Sequence, residues 1–134
     1  MPTLSVSCAP LQPLARKHLA LAFTRQLKQL GADTAHCMVF FNPLPEGCVF
    51  SAGMPMPIVD REGAPAQFHV RITLSATRDR LAHQALAEGL HGSLRTHFPN
   101  AFIHLHFDPI LPAHVYFSAG AQLTNAAQQG NTGS

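Results

Sequence analysis

Phe50-Ser51-Ala52-Gly53 recurs in the second half of the chain as Phe117-Ser118-Ala119-Gly120, and at a nearly identical offset Phe41-Asn42-Pro43 is answered by Phe107-Asp108-Pro109. Identical letters at matching places in a short chain point to a duplicated unit, so each half is read beside the other. In the first half, Met1-Pro2-Thr3-Leu4-Ser5-Val6-Ser7-Cys8 alternates apolar and polar residues as a strand does. Pro13 suits the opening of a helix, Leu19, Phe23, Leu27 and Leu30 form its apolar stripe, and Gly31 suits a left-handed cap. Residues Cys37 to Phe41 read as a buried strand, Asn42 to Gly47 as a turn and Val49-Phe50-Ser51 as a short extended piece.

The second half repeats this order. Phe68 to Ser75 is a strand, Asp79 to Phe98 a helix striped by Ala82, Leu86, Leu90, Leu94 and Phe98, and Phe102 to Phe107 a strand. Asp108 to Pro112 reads as a turn, and Val115 to Ser118 as a last short strand. Between the halves, residues 54 to 65 carry three prolines and read as an irregular crossing. Each β-α-β unit needs a right-handed parallel crossover. Two of them predict an α/β (α+β) domain over residues 1–124, with repeat units at about 2–53 and 68–120. The expected sheet is mixed and four-stranded, with both helices on one face. Residues 125–134 read as a flexible tail or an arm reaching a neighbour.

Composition narrows the function. At 134 residues the chain suits one domain with a real core. Only 12% of residues are charged, about half the ~25% usual for soluble domains, which predicts that one face is hidden in an oligomer. A net charge of +2 is no nucleic-acid footprint. Cys8, Cys37 and Cys48 form no CxxC pair, which suits a reducing cytoplasm. No signal peptide or membrane span is evident.

Pro2 is the residue with the sharpest chemistry. With Met1 removed it becomes a secondary amine at a strand end, where burial would lower its pKa from the ~8 of a free α-amino group. It would then serve as a general base near neutral pH. The plainer reading is a proline tolerated at the first residue of a strand. Arg78 and Arg80 stand at the start of the second helix, where the macrodipole disfavours cations, and this suggests an anionic ligand. Solvated turn arginines are the alternative. Arg71 lies within a strand, facing the pocket, the assembly axis or solvent. His104 and His106 share one strand face at a metal-like spacing, but no third ligand is apparent, so no metal and no cofactor are expected. His106 is instead a candidate hydrogen-bond donor to substrate, and Phe50 a candidate pocket wall.

The Met-Pro start, the two β-α-β units and a Gly-ended hairpin after each second strand resemble the tautomerase superfamily over about residues 2–124. Lys17-His18, Val49 to Gly53, and Phe107 followed by Pro112-Ala113 are most similar to members related to cis-3-chloroacrylic acid dehalogenase. The resemblance implies a barrel-like homotrimer without cofactor. Pro2 would be the catalytic base and Arg80 would bind the carboxylate of a small 2-oxo acid, with Arg78 or His106 polarising its carbonyl oxygen. The implied reaction moves a proton between enol and keto forms. The dehalogenase's helix histidine falls opposite Leu27 or Lys28, its tyrosine opposite His106 and its glutamate near Ser118, so hydration or dehalogenation is an alternative that lacks those groups. The Arg-x-Arg spacing also resembles malonate semialdehyde decarboxylase. A non-catalytic trimeric binding module with a blocked Pro2 is the alternative from another class.

Overall fold

The computed structural model describes residues 2–129, and the last five positions of the expected tail lie outside it. The main sheet has four strands: β1 (Thr3–Cys8), β2 (Met38–Pro43), β5 (Gln67–Ser75) and β6 (Phe102–Ile110), in the order β2-β1-β5-β6. β1 pairs parallel with β2 and β5 parallel with β6, while β1 and β5 meet antiparallel at the centre with Thr3 opposite Thr73. The two β-α-β units are thus related by an approximate twofold through the middle of the sheet. Short hairpins, β3 (Phe50–Ser51) with β4 (Met54–Pro55) and β7 (Tyr116–Phe117) with β8 (Thr124–Asn125), follow each unit.

Helix α1 (Pro13–Gln29) opens on Pro13 and ends at Gly31, whose φ of 91° is the left-handed conformation the sequence predicted. Helix α2 (Arg80–His97) is capped by Asp79, whose carboxylate accepts from the Ala82 amide at 2.9 Å. Both helices lie on one face and bury Leu19, Phe23 and Leu27 of α1 and Leu86, Leu90 and Leu94 of α2. Against these pack alternate residues of the central strands: Leu4, Val6 and Cys8 of β1, and Phe68, Val70, Ile72 and Leu74 of β5.

Four boundaries differ from the sequence reading. β2 is an edge strand running Met38–Pro43 with alternately exposed residues, rather than a buried strand over Cys37–Phe41. β6 continues through Asp108-Pro109-Ile110, expected as a turn, because an edge strand tolerates a proline whose missing N–H faces away from the sheet. Met54–Pro55 turns back on Phe50–Ser51, Ala52 and Gly53 having φ of 51° and 77° as a tight two-residue hairpin requires. At the far end, Asn125 pairs in β8 and donates to the Ala113 carbonyl at 2.8 Å, so the chain is packed as far as the short 3-10 turn Ala126–Gln129.

The sheet face away from the helices is polar at its centre and apolar at its edges. Ser5, Ser7, His69, Arg71, His104 and His106 line a groove of about 240 Å³ there. Met38 and Phe40 on β2 and Phe102 on β6 are exposed beside it. Asp108 accepts from Arg71 Nε and lies 3.1 Å from His106 Nε2. Among the described residues no helix is long and apolar enough to cross a membrane.

Two predictions come from this packing. Phe68 is fully buried, its ring centroid 4.7 Å from that of Phe98, so Phe68→Ala should cost about 3–5 kcal/mol in urea unfolding. Acid should also weaken the fold in two steps. Burial, then the neighbouring His104, lowers the His69 pKa, so the unfolded chain binds that proton first. The resulting stability is complete above the unfolded value of ~6.5 and is lost as pH falls through the native one. The Arg71 hydrogen bond holds the Asp108 carboxyl below its ordinary range, so its contribution is present above ~3.9 and disappears at lower pH. Urea midpoints measured against pH should show both steps. The first should flatten in His69→Gln, and an unchanged profile would remove His69 as its cause.

Candidate active site

Pro2 precedes β1 and is buried. Its parity matches Leu4 and Val6, so it belongs to the helix side of the sheet, and its carbonyl accepts from the Met38 amide at 3.3 Å. Because β1 and β5 are antiparallel, the Pro2 end of β1 lies beside the end of β5, where the chain leaves through Ser75, Ala76 and Thr77 for α2. It is this antiparallel contact, and not a parallel one, that brings the amino-terminal proline to the second unit's β-to-α junction. The junction is fixed locally: the Ala76 amide donates to the Ile110 carbonyl at 2.8 Å, and the Ser75 and Thr77 hydroxyls are hydrogen-bonded at 2.8 Å.

The two arginines of this junction differ. Arg78 reaches across to the other helix, where its Nη1 donates to the Leu30 carbonyl at 2.6 Å, at the carboxyl end of α1. A cation there meets the negative end of that helix's macrodipole, which offsets the unfavourable start-of-helix position noted in the sequence. Arg80 is the first residue of α2, exposed, and among the described residues it makes no hydrogen bond or ion pair. Its guanidinium has no such compensation and is open to an anion.

Arg71 and His106 are brought together, but on the opposite face. They are register partners on β5 and β6, and both bond Asp108 in the polar groove. Within one protomer the sheet separates them from Pro2. Phe50 lies in the β3–β4 hairpin, which leaves the sheet at the Cys8 end, and is 58% exposed. Among the described residues no three His, Cys, Asp or Glu side chains converge as metal ligands.

The sequence did not single out His83. Its ring stacks on Phe107, with centroids 4.7 Å apart and planes 14° from parallel, and its Nε2 is buried without a hydrogen-bond partner in the described structure. The signal for this contact was the spacing: His83 stands in the first turn of α2, which lies over the end of β6.

No protein-family model and no curated sequence matches the chain. Solved structures do. A native fused 4-OT superposes with a TM-score of 0.76 at 20% identity, covering 96% of this chain and 99% of its own. A structure of Pt0534 inactivated by 2-oxo-3-pentynoate gives 0.75 at 18% identity, with 97% and 98% covered. A member of the cis-3-chloroacrylic acid dehalogenase family gives 0.71 at 16%, with 95% and 87% covered. At such identities the likeness is one of fold, and it extends over nearly the whole of each chain. Two β-α-β units joined antiparallel, with both helices on one face, are the architecture that this chain shares with these structures, and its fold is theirs.

Proposed function

We propose that the chain is a tautomerase acting on a small 2-oxo acid, with the Pro2 amine as its general base once Met1 is removed. The neutral amine takes the enol O–H proton as the C=O bond forms, and the resulting ammonium delivers a proton to C3, so no cofactor is consumed. Arg80 holds the substrate carboxylate. The observation that carries this reading is the meeting of a buried strand-end proline with a junction whose first helical residue is an uncompensated arginine. Burial and nearby cations both lower the pKa of such an amine. Arg78 is the weaker candidate for substrate contact, since its guanidinium already serves the end of α1.

The protein would work as a homotrimer. Exposed apolar residues at both sheet edges favour association, and the solved fused 4-OT structures include a symmetric trimer. In such an assembly the open sheet face would turn inward, and Arg71, His106 and Phe50 could reach substrate only in a pocket completed by a neighbouring subunit. Light scattering at micromolar concentration should give three times the chain mass, and a monomer would remove the assembly from this reading.

Kinetics test the chemistry. Phenylenolpyruvate tautomerisation should be abolished in Pro2→Ala and in protein that retains Met1 or carries an N-terminal tag. Loss of a charge-assisted carboxylate contact, about 1.5–3 kcal/mol, should lower kcat/KM about tenfold or more in Arg80→Ala. 2-Oxo-3-pentynoate should add once to the processed protein by intact mass and not to the tagged form. Full activity in a tagged protein would show that the amine is not the base.

A further inference from the structure

The duplication creates two β-to-α junctions, and only in the second does a side chain at the helix start cover the strand phenylalanine beneath it. The buried helix stripes give the correspondence between the units, Leu19, Phe23 and Leu27 answering to Leu86, Leu90 and Leu94. Arg16 stands as far ahead of Leu19 in the first turn of α1 as His83 stands ahead of Leu86 in α2, so the two are counterparts. In the strands, Leu4 and Val6 answer to Val70 and Ile72, and by the same offset Phe41 on β2 is the counterpart of Phe107. In the second unit the His83 imidazole lies flat on Phe107 and occupies the space directly over that ring. In the first unit Arg16 is exposed, and the equivalent space is a cavity of about 220 Å³ walled by Cys8, Pro10, Leu11, Phe41 and Pro43.

We propose that this cavity is a second, non-catalytic ligand site that binds a small aryl carboxylate, its ring stacked on Phe41 where the second unit carries an imidazole and its carboxylate paired with Arg16. Size, chemistry and charge agree. A dry apolar cavity of about 150 Å³ already accepts benzene, so 220 Å³ holds a ring with a short acidic arm. Arg16 is the only charged lining residue, α1 has no acidic residue in its first turn, and the Arg16 side chain makes no hydrogen bond or ion pair among the described residues. Burial pushes the Cys8 thiol up to about 11, so the cavity floor is neutral and does not repel an anion. The position that answers to Pro2 is Phe68, whose backbone nitrogen is an ordinary amide within β5. This junction therefore contains no amine to act as base, and binding there does not lead to proton transfer.

The test is a phenylacetate titration of the isotope-labelled full chain, followed by the backbone amides of Leu11, Arg16 and Phe41. These should shift saturably, and equally in Arg80→Ala, which separates this site from the one at Pro2. Affinity should fall about tenfold in Arg16→Ala and for the neutral analogue phenylacetamide. In Arg16→His, which introduces the second unit's own plug, binding should be lost. Tautomerase activity should be unchanged in Arg16→Ala. The proposal is overturned if millimolar phenylacetate leaves those three amides unmoved, if phenylacetamide binds as tightly, or if Arg16→His binds as the parent does.

Discussion

Every functional relation in this molecule depends on the antiparallel contact between β1 and β5. Each β-α-β unit alone would be a two-stranded parallel ribbon with one helix, too small to bury its apolar face. Pairing the units head to tail makes one four-stranded sheet, and α1 and α2 then close over Leu4, Val6, Val70 and Ile72 as a single core. The same contact exchanges ends: the start of each central strand lies beside the exit of the other. Pro2 and the strand exit that leads to Arg80 thereby come to the same end of the sheet although they belong to different halves of the sequence.

The two sides of that sheet have different chemistry. The helix side is apolar and closely covered by α1 and α2. The open side carries titratable groups in its middle and apolar groups at its rims, so association through it would combine edge burial with polar contacts nearer the axis. A low charged fraction suggested a face hidden in an oligomer, and the open sheet face contains Arg71, Asp108 and three histidines. Few charges overall does not mean few charges on this face.

Much of the fold was legible because duplication prints the same pattern twice. The helix stripes, the Pro13 start and the Gly31 stop were all readable from spacing. Strand ends were not, since Pro43 and Pro109 look like breakers until it is known that both lie on edges where a missing donor costs nothing. For the site, the position of Pro2 beside the second junction followed from topology. The separation of Arg71 and His106 from it was not read from the sequence, because a strand residue's face depends on register: the core residues of β5 are even-numbered and those of β6 odd-numbered, which leaves Arg71 and His106 together on the open face. What spacing could not reveal is the bond from Arg78 to Leu30, because it joins residues distant in sequence and depends on where two helices end.

That bond ties recognition to architecture. The carboxyl end of α1 receives the guanidinium of a residue just ahead of α2, so one side chain fastens the two repeats beside the proposed reaction centre. Arg78→Ala would remove a fastening as well as a charge, and its kinetic defect would therefore combine loosened helices with weakened substrate contact. On the proposed mechanism Arg80, which fastens nothing in the described structure, would be the position at which recognition could vary while the architecture stays the same. Substitution is then free of architectural cost at one arginine of the pair and constrained by the helix contact at the other.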